Sequence, residues 1–533
     1  MTIQTAQDAE QVVERVNEML DAGQYAEAIT FADSCEGDDR FVDAIRAIAC
    51  THGGEALQDE AVLARGLALW RALGGENYNA QAYNLANAEH GAWRIAVNKR
   101  GFPAALAHDR EHLHRARALY RRAGDDPAVP FQLRVQALTN LGISYDELGR
   151  DVEALGAYEE VLSMDSDFAM ALGNRGTTLM GVAPFMGQHQ PRVIHDAARA
   201  LDAALADPDQ VKRFGGQSAL TSFEQHRSRI KLEQPHDEPN TTKTWTDPYL
   251  RWCAERSLFL HVSQACISDD VDDLDPLFLN RLITGLSQDE QERVYDLVDA
   301  FNALKQDYVA ARYLLWLAAD PLSPIHEHAL AATARTRFLD TYKYGDWSVR
   351  SGLAAQAFAA AINLLDKVAS FTHLYFNTSR KSRRVYLHNL WRLDGIRHGT
   401  ADMDPELAAQ FDQHGNRGLM ALCDLSCDLE QDTPLNRMVD RRHSATHRFL
   451  AVHWMLIQED ATAGTGWLDH VEWDDLLAGA VQQLATARAA LIYLARLIDI
   501  AEQLAETKRQ EEADGPRQLG HLPLTRTVPI DLN

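Results

Sequence analysis

Closely spaced arginine and histidine are the residues of this chain best suited to chemistry on a phosphodiester. In the segment TPLNRMVDRRHSATHRFLAVHWML, Arg442, His443 and His447 form the pattern Arg-His-x-x-x-His. Thr433 and Pro434 supply an N-cap and a first helical residue, so the segment predicts a helix of about 25 residues. At about 100° per residue His443 and His447 share a helical face and Arg442 lies on its flank, so all three can enter one cleft. A guanidinium is always charged and grips phosphate oxygens in pairs, while an imidazole exchanges protons near neutrality. Together they form a kit for cleaving RNA. The 2′-hydroxyl would attack the adjacent phosphate, His447 would move a proton, Arg442 would stabilise charge on the phosphoryl oxygens, and His443 would position the group.

The spacing alone is weak, because 21 histidines produce chance matches. Arg448 with His453 is one competitor, with Phe449 rather than a polar residue after the arginine; Arg392 with His398 is another, interrupted by Gly395. A zinc reading of the His443 and His447 pair lacks a third ligand. More weight comes from a second basic cluster. Between Phe376 and Thr400 six cations (Arg380, Lys381, Arg383, Arg384, Arg392 and Arg397) face the single acid Asp394, a formal +5 inside a chain of -25. Such an island suits a phosphate backbone, and Arg383, Arg384 and Arg441 are the candidate RNA contacts. Lys367, on a helix from Leu364 to Phe376, is a candidate to orient the motif from behind. Tyr386 and Trp391 read as core side chains, the alternative being an exposed ring that stacks on a base.

The elements that must carry these residues are helical. The chain has 533 residues, 46% hydrophobic and 24% charged, which excludes a wholly disordered or disulfide-dense protein and implies more than one domain. The 77 acids against 52 cations exclude a nucleic-acid coat or membrane-surface protein as a description of the whole chain. No apolar run is long enough to span a membrane, and acids near the start disfavour a signal peptide, so a cytoplasmic location is expected. The six cysteines lack a CxxC pair; Cys423 and Cys427, one helical turn apart, read as helix packing. GxxxxGK[ST], GxSxG and HExxH are absent, and nothing calls for a cofactor or metal. The acidic run Asp269 to Asp275 reads as a solvated loop.

Alanine and leucine recur at three- and four-residue intervals, which predicts an all-α chain. Asn140-Leu141-Gly142 and Asn174-Arg175-Gly176 lie 34 residues apart. The first of these units resembles the tetratricopeptide repeat: Leu141, Gly142, Tyr145, Ala154 and Tyr158 fall where its two helices have Leu, Gly, Tyr, a small residue and an aromatic one. Ser166 stands where that family usually has Pro. Gly142 and Ala154 would let antiparallel helices approach while the tyrosines fill the wedge between pairs. Echoes occur at Tyr25 and Ala28 and at Asn84 and Leu85. A polar stretch from about Asp207 to Asn240 reads as a connection.

The segments AAAINLLDKVASFTHLYF, RRVYLHNLW, GLMALCDLSCDL and DRRHSATHRFL, in that order, resemble the HEPN superfamily, and in particular a bacterial branch fused to tetratricopeptide repeats. Its motif is an Arg, a polar residue and a His four to six residues after the Arg, matched here by Arg442, His443 and His447. The resemblance implies an α-helical bundle that dimerises to build one composite cleft, and a metal-independent endoribonuclease, often a toxin or antiphage effector. Phe449 stands where some HEPN toxins carry a modifiable tyrosine, which puts that mode of neutralisation in doubt. The expected layout is tetratricopeptide-like repeats over 1–206 with a protein or peptide ligand, a connecting helical region over 207–310, a HEPN-like domain over 311–510 and a polar tail over 511–533. The alternative is an adaptor that binds protein or RNA without cleaving it.

Overall fold

The computed structural model describes residues 2–231, 245–263, 274–281, 288–323, 331–338, 345–378, 385–391, 403–429, 449–454 and 468–512. Its internal contacts divide the chain into two units, Met1–Pro184 with Gln188–Pro239 and Phe185–Gly187 with Asn240–Asn533. Both are mainly helical, and each also holds short strands. Among the described residues no helix is long and apolar enough to cross a membrane.

The first unit pairs β1 (Thr2–Ile3) in parallel with β2 (Glu36–Gly37). Its helices are α1 (Ala6–Asp21), α2 (Tyr25–Asp33), α3 (Asp39–Ala56), α4 (Glu60–Ala72), α5 (Asn79–Arg100), α6 (Phe102–His108), α7 (Arg110–Asp125), α8 (Phe131–Asp146), α9 (Asp151–Met164), α10 (Ala169–Val182), α11 (Gln190–Leu205) and α12 (Pro208–Arg229). Helices close in sequence pack together, α3 on α4, α5 on α7, α8 on α9 and α10 on α11, the nearest-neighbour logic of a solenoid. Gly142 of α8 lies under the buried Tyr158 ring of α9, where a Cβ would collide with the ring edge. One period later Gly176 of α10 meets α11 in the same way: its Cβ would stand 2.7 Å from Leu201 and 3.0 Å from the Ala197 carbonyl. Tyr145 is held by two guanidiniums, Arg117 at 4.3 Å and Arg150 at 4.9 Å from its ring centre.

A polar seam crosses these pairs. Arg94 of α5 donates to Glu55 of α3 (3.0 Å) and to Glu147, the C-cap of α8 (2.8 Å), and His90 meets the same Glu147 at 2.9 Å. Burial, aided by Arg94, holds His90 below its ordinary value, so near neutral pH the ring is uncharged. It then bonds Glu147 as an N–H donor. Burial alone would raise the Glu147 carboxyl, but His90 and Arg94 reverse this and keep it ionised. Glu89, 1% exposed, is matched by Arg71 at 2.7 Å and His112 at 2.5 Å.

The polar stretch after residue 206 is not a simple connection. Asp207 caps α12 by accepting from Gln210 N, Pro208 occupies the first turn, and α12 packs on α10 and α11. Two helical stretches meet within α12 at a kink at Gly215-Gly216, with Gly216 at φ 72°.

The second unit contains α13 (Pro248–Glu255), α14 (Gln288–Ala319), β3 (Gly345–Asp346), α15 (Val349–Phe376), α16 (Pro405–His414), α17 (Arg417–Cys427), β4 (Phe449–His453), β5 (Leu468–Glu472) and α18 (Trp473–Glu512). α14, α15 and α18 pack on one another through buried stripes such as Leu304, Tyr308, Ala311 and Leu315 on α14 and Leu484, Ala487, Leu491 and Leu494 on α18. α14 runs unbroken across residues 310 and 311, so the expected boundary there falls inside one helix. β4 lies between β3, antiparallel, and β5, parallel, in the register His453↔Gly345 and His453↔Glu472. The helix expected over the motif segment therefore does not extend to Trp454: Phe449–His453 is a strand. A short apolar run such as FLAVH fits a buried helix and a buried strand equally by pattern, and pairing on both edges decides it.

Two glycine substitutions test the packing of the first unit. Gly142→Ala must push the Tyr158 ring aside and should cost about 1–3 kcal/mol. Gly156→Ala, in the exposed middle of α9 with nothing within 4 Å of its Cβ, should instead stabilise by about 0.5–1 kcal/mol. Urea unfolding of the two variants should move in opposite directions; movement of both in the same direction would contradict this account of the helix pair.

Candidate functional site

The second unit is organised around an irregular segment, Leu258–Val262, whose five side chains are at most 4% exposed. Backbone buried without regular partners must find donors elsewhere. Arg312 of α14 donates to the Leu258 carbonyl (2.8 Å), as does the Tyr308 hydroxyl (2.7 Å). Arg488 of α18 donates to the Phe259 carbonyl at 2.6 Å and to that of His261. The Arg312 fork also closes on Asp275, at 3.0 and 2.6 Å, and Asp275 accepts the Leu260 N–H at 2.6 Å. Asp275 therefore ends the acidic run as a structural partner, which corrects its reading as part of a solvated loop. Burial pushes the neighbouring Cys253 thiol up to about 12, so it stays protonated and unreactive.

Farther along α18, Asn416 caps α17 by accepting from Leu419 N and reaches across to the Leu497 carbonyl at 3.0 Å. Asp499, 2% exposed, lies 3.2 Å from the Arg281 guanidinium. Burial pushes its carboxyl up to about 6, against the lowering effect of Arg281.

The motif residues Arg441, Arg442, His443 and His447, the competitor Arg448, and the basic residues Arg383 and Arg384 lie outside the described residues. Lys367 is described: it stands on the exposed side of α15 and pairs with Asp307 of α14. Trp391 is core at 5% exposure, whereas Tyr386 is 41% exposed, which corrects its assignment to the core. Cys423 and Cys427 are buried in α17, where the Cys427 thiol donates to the Cys423 carbonyl at 3.4 Å. Among the described residues no three metal-ligating side chains converge.

His453 resolves one ambiguity. Its ring is 2% exposed and lies with Nε2 2.8 Å from Nδ1 of His470, across β4 and β5. A ring so enclosed and engaged is poorly placed to exchange protons with a substrate in a cleft. The Arg448 and His453 pairing loses its support.

Residues 288–501 match the model of the LA2681-like HEPN family, so the carboxy-terminal region of the chain is similar to HEPN domains. The match starts at the first residue of α14 and covers the α14, α15 and α18 core together with the segment carrying Arg442, His443 and His447. No curated protein matches the chain. Leu258–Val262 and Asp275 precede the matched residues yet supply part of the core of this unit. Sequence reading missed Arg312, Asp275 and Arg488; the available signal was an arginine in each of two otherwise apolar helical stripes.

Two outcomes follow from this electrostatic frame. Asp275→Ala leaves Arg312 buried without its carboxylate and should cost about 3–5 kcal/mol in chemical denaturation. Asp499 titrates in the opposite sense to a paired surface acid. With a folded value near 6, above the ordinary carboxylate value of about 4, the folded state holds the extra proton. Its contribution is complete below pH ~4 and is lost as pH rises toward 6. Asp499→Asn should remove that decline, and unchanged pH dependence of unfolding between those limits would refute the assignment.

Proposed function

We propose that the protein is a metal-independent endoribonuclease whose cleft is built around Arg442, His443 and His447. The observation that carries this reading is the match of residues 288–501 to a HEPN family in a segment that retains the Arg-polar-x3-His pattern intact. In the proposed reaction the 2′-hydroxyl of the substrate gives up its proton and its oxygen forms the new bond to the adjacent phosphorus. The bond to the 5′-oxygen breaks, and that oxygen takes a proton as it leaves. His447 handles one of these transfers, Arg442 offsets the charge on the phosphoryl oxygens, and His443 holds the geometry. One such set offers few groups for both transfers, which favours a homodimer that presents two sets to one cleft.

Arg383, Arg384 and Arg441 would bind the RNA backbone, and the Lys367 pair with Asp307 would steady α15 against α14. The helical pairs of the first unit, read as tetratricopeptide-like, would receive a protein or peptide signal, consistent with a toxin or antiphage effector in the cytoplasm.

The test is RNA incubated with the purified protein in EDTA. Cleavage that leaves 2′,3′-cyclic phosphate ends is expected, with a dimer in light scattering. Arg442→Ala and His447→Ala should each lower the rate about a hundredfold or more with folding unchanged, and His443→Ala should do less. Arg383→Ala with Arg384→Ala should weaken binding and flatten its salt dependence without abolishing turnover. Inert RNA with a well-folded dimer would instead identify a non-enzymatic adaptor.

A further inference from the structure

The residues directly after the basic run Arg380, Lys381, Arg383 and Arg384 form a short anchored segment, 385–391, in the second unit. Val385, Leu387, Leu390 and Trp391 are buried and fix it to the core. The Leu387 N–H donates to Asp366 of α15 at 3.4 Å. A turn closes on Tyr386, whose carbonyl accepts from Asn389 N and Leu390 N at 3.0 Å each, while its own N–H donates to the Asn389 side chain at 2.9 Å. Tyr386 and His388, between these anchors, are less enclosed. Tyr386 is 41% exposed, and its ring lies parallel to that of the half-buried His388, 3° apart in plane and 5.6 Å between centres.

We propose that the Tyr386 and His388 rings form a ledge on which an unpaired base of single-stranded RNA stacks. The proposal rests on the ribonuclease reading and narrows its substrate to RNA with accessible bases.

Three features favour this occupant over a protein. The ledge is held by buried anchors, so little conformational freedom is lost when a ring settles on it. The 25 residues from Phe376 to Thr400 carry +5 in a chain of -25, so this stretch attracts polyanions where the rest of the protein repels them. Tyrosine and histidine faces accept any base, whereas the bases of an A-form duplex are stacked on one another and present no free face.

The experiment uses the full-length protein carrying Arg442→Ala, so that RNA binds without turnover, and a short fluorescent single-stranded RNA beside a duplex of the same length at fixed salt. Adding Tyr386→Ala should weaken single-strand binding about tenfold or more and leave duplex binding unchanged, while Tyr386→Phe, which keeps the ring, should bind like the parent. In the catalytically intact protein Tyr386→Ala should raise KM for single-stranded RNA and leave kcat unchanged. If the intact protein cleaves RNA and Tyr386→Ala alters neither binding nor KM, the ledge proposal is overturned and the ribonuclease reading stands. If no RNA is cleaved but single strands bind through Tyr386, the ribonuclease reading fails and the ledge survives as a binding site. Absence of both cleavage and binding removes both, and leaves the exposed ring to a protein partner.

Discussion

The fold of the second unit depends on two buried arginines that pay the hydrogen-bonding debt of one irregular strand of backbone. Leu258–Val262 is as buried as any helix in the unit but has no ladder of its own. Arg312 and Arg488 reach it from α14 and α18, and their guanidinium forks satisfy carbonyls that would otherwise cost about 1–3 kcal/mol each when buried unpaired. The same contacts make α14, α18 and the segment mutually dependent. Arg312 needs Asp275, because a buried guanidinium is tolerated only when its charge is met. A region that resembles a connection by composition thereby becomes a condition for the helical core beside it.

The first unit solves a different problem by related means. A chain of helical pairs has no single centre, so each interface must be specified locally. Gly142 and Gly176 do this sterically, by admitting Tyr158 and Leu201 where a side chain would exclude them. Arg94 does it electrostatically, because one guanidinium bridges a carboxylate of α3 and the one that caps the end of α8 while rooted in α5. Steric notches fix the fit within a pair, and the polar seam fixes one pair against the next.

The legible parts of the sequence were those where one local pattern has one structural meaning. The 34-residue spacing of Gly142 and Gly176 marks close helix contacts whatever surrounds them, and alanine and leucine at three- and four-residue intervals mark helices. What escaped depended on distant partners. Asp275 has its structural role because Arg312, 37 residues later, claims it. The polar stretch after Asp207 looks like a connection, but the cap at Asp207 and packing on α10 and α11 make it helical on both sides of a kink at Gly216. Tyr386 alternates with buried neighbours, and the anchors at Val385 and Leu387 are what turn it outward. Of the candidate site, residue types and spacing were readable; the strand at Phe449–His453 was not, because its pairing lies with residues near 345 and 470.

That strand bears on how the motif can work. A helix continuing to Trp454 would put His453 on the same element as His447 and leave two histidines competing for one role. In the strand, alternation and the ladder with β5 set the direction of His453, and its ring is spent on His470. The strand that begins at Phe449 thus gives His453 a packing role of its own. A proton-transfer group must meet its substrate, and His453 does not satisfy that condition. The proposed reaction therefore asks nothing of His453 and draws its charge stabilisation and proton transfer from the residue types of Arg442 and His447.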